Sequence, residues 1–431
     1  MEVKINIRKM AVDLSVLGLF LPTLLSSLTS VIFPTVAIYN FVILFSVFLF
    51  FISNKKYTRK TPHMTLLGLC FLIIVITIGF IRYDVYIGTF LIYILTLLFC
   101  ISSQNSEDWI KPLIKYNIFF GVFYILMTFL MRVNSNLYYN LVPNLYTYET
   151  RFGFWYEQGY MTGITDHNST NGMVLANVFI FISGIYFAKK DIKRKTFLPF
   201  LIMTLAVIAI FMTGKRAHLL FSILAVLLTY YIYGKNEKNH QSKYILIVVA
   251  MGVILFLLYL FVPQVQAVVS RFSDISEDEN ILIRLEFWKN SLIAFKENTL
   301  LGIGWFGFIN SIAPQLGYTG NSHNVYIQVL CETGLIGAIF IYGWMILALV
   351  STIRYVQRMV KDKFGHTLWQ RTIMFVSLSY QLYFIMYCVT GNPLYDVYTY
   401  QLYFVLSSYS ITKSQNLMFS NKTNNLKEKN I

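Results

Sequence analysis

Residues 302–337 read GIGWFGFINSIAPQLGYTGNSHNVYIQVLCETGLIG, a glycine- and aromatic-rich segment that passes through His323 and Asn324 into an apolar run. Gly302 and Gly304 permit a sharp turn. Asn321, Ser322 and His323 stand where a helix N-cap belongs. The run that follows, 324–352, exceeds the roughly 20 residues that cross a hydrocarbon core. The segment is therefore a surface loop handing over to a membrane span. Glu332 sits inside that run, where a carboxylate has to be paired or line a cavity. At about 100° per residue it falls on roughly the opposite helix face from His323, so the two need not share a site.

Composition extends this reading to the whole chain. Of 431 residues, 56% are hydrophobic and 13% charged, with a mean hydropathy of +0.59. A soluble globule is only about 45–50% apolar. A polytopic membrane protein is expected, with the bilayer as its first partner. The formal charge of +15 raises the question of nucleic acid, but the Lys and Arg residues lie in short clusters between hydrophobic runs. That pattern reports topology, and nucleic acid is not an expected partner. Cys70, Cys100, Cys331 and Cys388 each fall in an apolar run without CxxC spacing, so neither a disulfide framework nor a metal knuckle is indicated.

The expected fold class is all-α, with about twelve transmembrane helices at 11–29, 33–53, 64–81, 86–102, 113–131, 170–188, 197–213, 216–233, 243–263, 324–352, 371–390 and 393–411. The basic start, MEVKINIRKM, heads a retained first span rather than a cleaved signal. On this count 26 of the 35 Lys and Arg fall on one side, which makes that side cytoplasmic and puts both termini there. The other side holds two long loops, 132–169 and a larger one, 264–323, between helices 9 and 10. Both are rich in aromatics, so the working surface faces out of the cell. Residues 1–411 form a single transmembrane domain and 412–431 a plain polar tail.

Three outward stretches carry chemistry. His63, His240 and His366 lie in cytoplasmic loops as solvated side chains, whereas His167, His218 and His323 face outward. The first stretch, RFGFWYEQGYMTGITDHNSTNG at 151–172, brings Arg151, Trp155, Asp166, His167 and Asn168 together. Aromatic faces beside amides and carboxylates suit sugar rings, though Trp and Tyr also form plain interfacial belts. The second, FMTGKRAHLL at 211–220, puts Lys215 and Arg216 at the start of the eighth span. A helix N-terminus with a guanidinium suits phosphate oxygens; the plainer alternative is snorkelling to lipid headgroups. The third opens at Arg284, where Leu285, Trp288, Leu292 and Phe295 recur at helical spacing, as in an amphipathic helix lying on the membrane or on the bundle. His323, at the end of that loop, can accept a proton near neutral pH or hydrogen-bond a phosphate. Asp274, Glu277, Asp278 and Glu279 read as a solvated acidic loop rather than a metal site.

Taken in order, GITDHNSTNG, TGKRAHLL, RLEFW with LLGIGWFGF, and SHNVYIQVLCETGLIG resemble the motifs of the O-antigen ligase and polymerase superfamily of bacterial surface-polysaccharide assembly. The resemblance covers about Arg151 to Gly337 in pattern and the whole chain in topology. His167 stands where proline is common in that family, and Lys215 and Ala217 depart from its pattern around the arginine.

The resemblance implies a GT-C-like, metal-independent membrane glycosyltransferase without a cofactor, acting at the outer face of a bacterial cytoplasmic membrane. Its substrates would be undecaprenyl-diphosphate-linked glycans, and its partners a flippase and a chain-length regulator. Arg216 and Arg284 would hold the donor diphosphate and His323 would activate the acceptor. Lys215, Arg151, Asn168, His167, Asn324 and Trp155 would contact substrate. Polymerisation of repeat units is the leading expectation and ligation of a finished glycan to lipid A-core the alternative. A lipid-linked-oligosaccharide flippase is the competitor from another class. It should carry charge within its spans along a central path, and intramembrane charge here is sparse.

Overall fold

The computed structural model describes residues 7–25, 27–32, 36–53, 63–83, 87–103, 106–234, 279–361 and 365–428, which are helical without any strand. The helices are α1 (Ile7–Leu25), α2 (Leu28–Ile32), α3 (Val36–Ser53), α4 (His63–Tyr83), α5 (Ile87–Ser103), α6 (Ile110–Val133), α7 (Ser135–Leu145), α8 (Phe152–Glu157), α9 (Asn168–Asp191), α10 (Phe197–Met212), α11 (Arg216–Gly234), α12 (Glu279–Glu297), α13 (Val325–Lys361), α14 (Leu368–Tyr387) and α15 (Val397–Glu428). Helices α1, α3 to α6, α9 to α11 and α13 to α15 overlap the spans expected from hydropathy. The ninth expected span, 243–263, lies outside the described residues, as do Asp274, Glu277 and Asp278. Four helices, α6, α9, α11 and α13, are long and apolar enough to cross a membrane by length and composition.

Three boundaries differ from expectation. The segment 132–169, expected as a loop, contains α7 and α8. Helix α13 runs on to Lys361, and α15 continues through the expected tail to Glu428. Hydropathy marks where a helix enters hydrocarbon, and a helix that leaves the apolar layer has no reason to stop there.

Helix α9 is the centre of the bundle, packed against α6, α10, α11 and α14. It is apolar on every side, as a helix surrounded by others must be. Close approach depends on glycine: a Cβ on Gly121 of α6 would lie 2.2 Å from Val178 Cγ2, and one on Gly184 would lie 2.6 Å from Val376 Cγ2 of α14. Small residues let membrane helices gain packing contacts that lipid cannot replace. Polar side chains tie the same helices: Gln381 donates to Thr352 Oγ1 at 2.8 Å, and Ser379 to Thr229 at 3.0 Å. Arg371, which charge patterning places in a cytoplasmic loop, is instead 1% exposed and ion-paired with Asp191, which also accepts from Tyr233 at 2.9 Å. That triad locks α9, α11 and α14 together at one end.

The perimeter is apolar. Phe41, Phe45 and Phe48 of α3, Ile74, Ile78 and Ile81 of α4, and Leu126 and Leu130 of α6 are all exposed. Rows of large apolar side chains turned outward on helices suit a protein whose solvent is lipid. The chain is an integral membrane protein.

Candidate active site

The site begins with a break in α13. Gly334 has φ 62 and ψ −167, so the helical hydrogen bonds lapse there. Residues 299–304 run alongside and take up the freed groups. Ile303 and Gly304 donate to the carbonyls of Cys331 and Glu332 at 3.0 and 2.7 Å, and Leu335 and Ile336 donate to those of Thr299 and Leu300 at 2.8 and 3.2 Å. Irregular backbone at a membrane boundary is stable only when its polar groups are met in this way. The Glu332 carboxylate, fully buried, closes the arrangement. It accepts from the amides of Phe306 (3.1 Å) and Phe308 (3.0 Å), from Gln328 Nε2 (3.0 Å) and from the Tyr395 hydroxyl (2.7 Å). The acid in the apolar run is therefore paired, and it meets the His323 loop only through other residues.

His323 sits on that loop with φ 59, in the left-handed region that non-glycine residues rarely enter. Its neighbours hold it there. Trp288 of α12 donates to the Ser322 carbonyl at 2.9 Å, while the Ser322 amide donates to Gln328 Oε1 at 2.9 Å. Gln328 Nε2 also bonds Asn321 Oδ1 at 2.8 Å. The cap of α13 is Asn324, whose Oδ1 accepts from the Ile327 amide at 3.1 Å. It replaces the expected Asn321–His323 cap, because the left-handed turn at His323 sets the helix start one residue later. Asn392, in the turn before α15, places its side-chain amide 3.4 Å from His323 Nδ1.

Across a cleft of about 170 Å³, His323 shares its walls with Ile283, Arg284, Phe287, Tyr318 and Thr319. Helix α12 brings Arg284 there by packing Phe287 against Phe308 and Tyr318, with Ser291 also buried. Of the expected apolar stripe, Leu285 and Leu292 are exposed at 51% and 41%, and the face that packs on the protein is the one centred on Phe287 and Ser291. Lys215, outside the cleft lining but close enough to act electrostatically on His323 and to feel Arg284, stands on the Thr213–Lys215 turn, where Gly214 has φ 70 and lies under the Tyr160 ring.

Electrostatics bind these groups into one site. Burial lowers the His323 pKa to about 4, with Arg284 and then Lys215 adding to the effect. Burial likewise lowers Lys215 to about 8, with Arg284 and Arg151 contributing. Each group feels the other cations, so an anion entering the cleft would relieve them all. His323 is the neutral imidazole at neutral pH.

The remaining sequence candidates are placed as follows. His167 caps α9, its Nδ1 accepting from the Ser169 amide at 3.0 Å, and burial, Lys215 and Arg151 lower its pKa to about 4. Asn168 is buried and donates to the Thr213 carbonyl at 3.1 Å, tying the first stretch to the Lys215 turn. Arg151 makes a two-pronged pair with Glu149, both contacts 2.9 Å, which holds that carboxyl down at about 2. Trp155 is 6% exposed, with Arg151 over one face and His167 against it at 4.6 Å, so it supports those two residues more than it offers a free face. Arg216 is the first residue of α11 and is half-buried. His218 is buried, 2.7 Å from the Tyr383 hydroxyl and stacked near Tyr387 at 4.6 Å.

With this geometry in place, comparison with known proteins is informative over one segment. Residues 200–342 match the family described as O-antigen ligase. The similarity covers that segment, about a third of the chain. A comparison with curated proteins returns no match. The matched segment holds Lys215, Arg216, Arg284, His323, Asn324 and Glu332, which supports the resemblance drawn from the motifs; the 151–172 stretch lies outside it. The family implies glycosyl transfer from lipid-linked glycans in a membrane setting. The sequence did not single out Gln328, Asn392 or Tyr395 and marked Trp288 only as part of an apolar stripe; Trp288, Asn392 and Tyr395 act through contacts across 34 to 69 positions, which no local motif encodes.

Proposed function

We propose that the protein is a polysaccharide polymerase that transfers a growing glycan from its undecaprenyl diphosphate to an incoming lipid-linked repeat unit at the outer face of the cytoplasmic membrane. The observation that carries this reading is the pairing, across one cleft, of Arg284 with the neutral imidazole of His323, with Lys215 near enough to act on both electrostatically. Glycosyl transfer from a lipid diphosphate makes two demands: negative charge grows on the departing diphosphate, and a hydroxyl must lose a proton. Arg284, Arg216 and Lys215 would answer the first and His323 the second. The acceptor oxygen bonds to the anomeric carbon as the bond from that carbon to the phosphate oxygen breaks, and the hydroxyl proton passes to His323.

Neighbouring groups support a base role. The Asn392 side-chain amide, Nδ2 3.4 Å from His323 Nδ1, holds the imidazole ring in place. A bound diphosphate would also offset the two cations that depress His323, so the base strengthens when the donor is in place.

The family's description as O-antigen ligase favours a second reading, transfer of a finished glycan to a different acceptor. The purified protein, incubated with a single lipid-linked repeat unit, separates the two. Polymerisation predicts a ladder of chain lengths; transfer only to an added lipid A-core acceptor contradicts it.

A further inference from the structure

The His323 loop, the strap at 302–308 and the turn before α15 come from three parts of the chain and meet at one carboxylate. One arm runs from Glu332 to Gln328, one helical turn back, which fixes both Asn321 and the amide of Ser322 beside His323. A second runs to the Tyr395 hydroxyl. Tyr395 is stacked on Trp305 at 4.8 Å, and its amide donates to the Asn392 carbonyl at 2.9 Å, so this arm sets the side chain that meets His323 Nδ1. A third arm, to the amides of Phe306 and Phe308, places the Phe308 ring against Phe287, one turn along α12 from Arg284. Glu332 touches neither His323 nor the cleft lining, yet three of the contacts that align His323 and Arg284, through Gln328, Tyr395 and Phe308, end on it.

We propose that Glu332 is a positioning residue for glycosyl transfer: through Gln328 and Tyr395 it fixes the backbone turn and ring orientation of His323, and through the strap it fixes the distance from His323 to Arg284. This rests on the reading of His323 as the acceptor-activating group. A saturated acceptor suits the task. Four donors converge on two oxygens, so the carboxylate cannot rotate without breaking bonds, and a neutral amide cannot accept all four.

The test uses the full chain, purified in detergent, with a radiolabelled lipid-linked repeat unit as donor and acceptor. Glu332→Gln is expected to lower kcat by about 10- to 100-fold, the loss that a displacement near 1 Å causes, with KM little changed. Combined with His323→Ala it should cost nothing further, because a residue that acts through His323 has nothing left to position. Tyr395→Phe and Gln328→Met each cut one arm and should each lower kcat in part; they carry the test through the same kcat and KM split if Glu332→Gln does not accumulate or His323→Ala leaves no measurable rate. Additive losses in the double variant, a loss lying in KM, or full turnover in both arm variants would overturn the proposal. Normal turnover in His323→Ala alone would instead remove the reading of the site on which it rests.

Discussion

Gly302 and Gly334 lie back to back, so close that a Cβ on Gly302 would stand 2.5 Å from the Gly334 nitrogen and one on Gly334 would stand 2.6 Å from the Gly302 nitrogen. Both also have positive φ, 66 and 62. The strap that carries Trp305 and Phe308 into the site enters the broken helix only because neither residue has a side chain.

Alanine at either position should therefore disrupt the fold. Gly317 supplies the comparison, since it has φ 78 but nothing within 4 Å of a Cβ. Gly317→Ala should lose only the left-handed strain, about 1–2 kcal/mol. Gly302→Ala and Gly334→Ala should lose far more, because backbone atoms must move. Thermal unfolding in detergent ranks the three, and equal losses would mean that the strap is not wedged there.

The acid side of the pH profile should report His323. For a base needed in its neutral form, kcat/KM falls as pH drops through the pKa of the free enzyme, here about 4. Arg284 holds that value down, so Arg284→Gln should move the acid limb upward, towards the ordinary histidine value of 6.5. The residual rate of the variant, followed from pH 4 to 8, gives the limb. A limb that stays in place would separate Arg284 from His323.

Lys215 should add a basic limb. Burial, with Arg284 and Arg151, brings its amine to about 8, so charge is lost as pH rises through that value and donor binding weakens, seen as a rising KM. Lys215→Arg keeps charge at all working pH and should abolish that rise. A rise that persists in this variant would assign it elsewhere.

Trp288→Phe removes the bond to the Ser322 carbonyl while keeping most of the ring. Losing one such hydrogen bond costs about 1 kcal/mol of stability. The larger effect should fall on turnover, through the freed His323 loop. Turnover unchanged beside a lower melting temperature would show that the loop holds without Trp288.

Much of this was legible in sequence, and the limits have physical causes. Hydropathy finds a helix such as α9 because burial in lipid demands an apolar stretch of set length. Lys215, Arg216 and Arg284 stood out because each sits at the start of an expected helix, a position suited to anions. The stripe of Leu285 and Leu292 was legible, but Phe287 was not picked out as the residue that packs on Phe308 and Tyr318, since Leu285, Leu292 and Phe287 are all apolar and only packing decides which side faces protein. Glu332 stood out as an acid in an apolar run, but its partners Phe306, Phe308 and Tyr395 are brought to it by tertiary folding. Arg371 read as one more cytoplasmic charge because its partner Asp191 lies 180 positions away. Breaking that buried pair with Asp191→Ala should cost about 3–5 kcal/mol of stability while the folded fraction keeps its normal KM.

The central claim is that Arg284 and His323 act on one donor across one cleft. It is tested most directly by reconstituting wild type, Arg284→Ala and His323→Ala in liposomes with a radiolabelled lipid-linked repeat unit and measuring released undecaprenyl diphosphate together with chain length. The account predicts matched release and elongation in wild type and near-complete loss of both in each variant, with all three proteins folded and inserted. Wild-type release and elongation in either variant would contradict it.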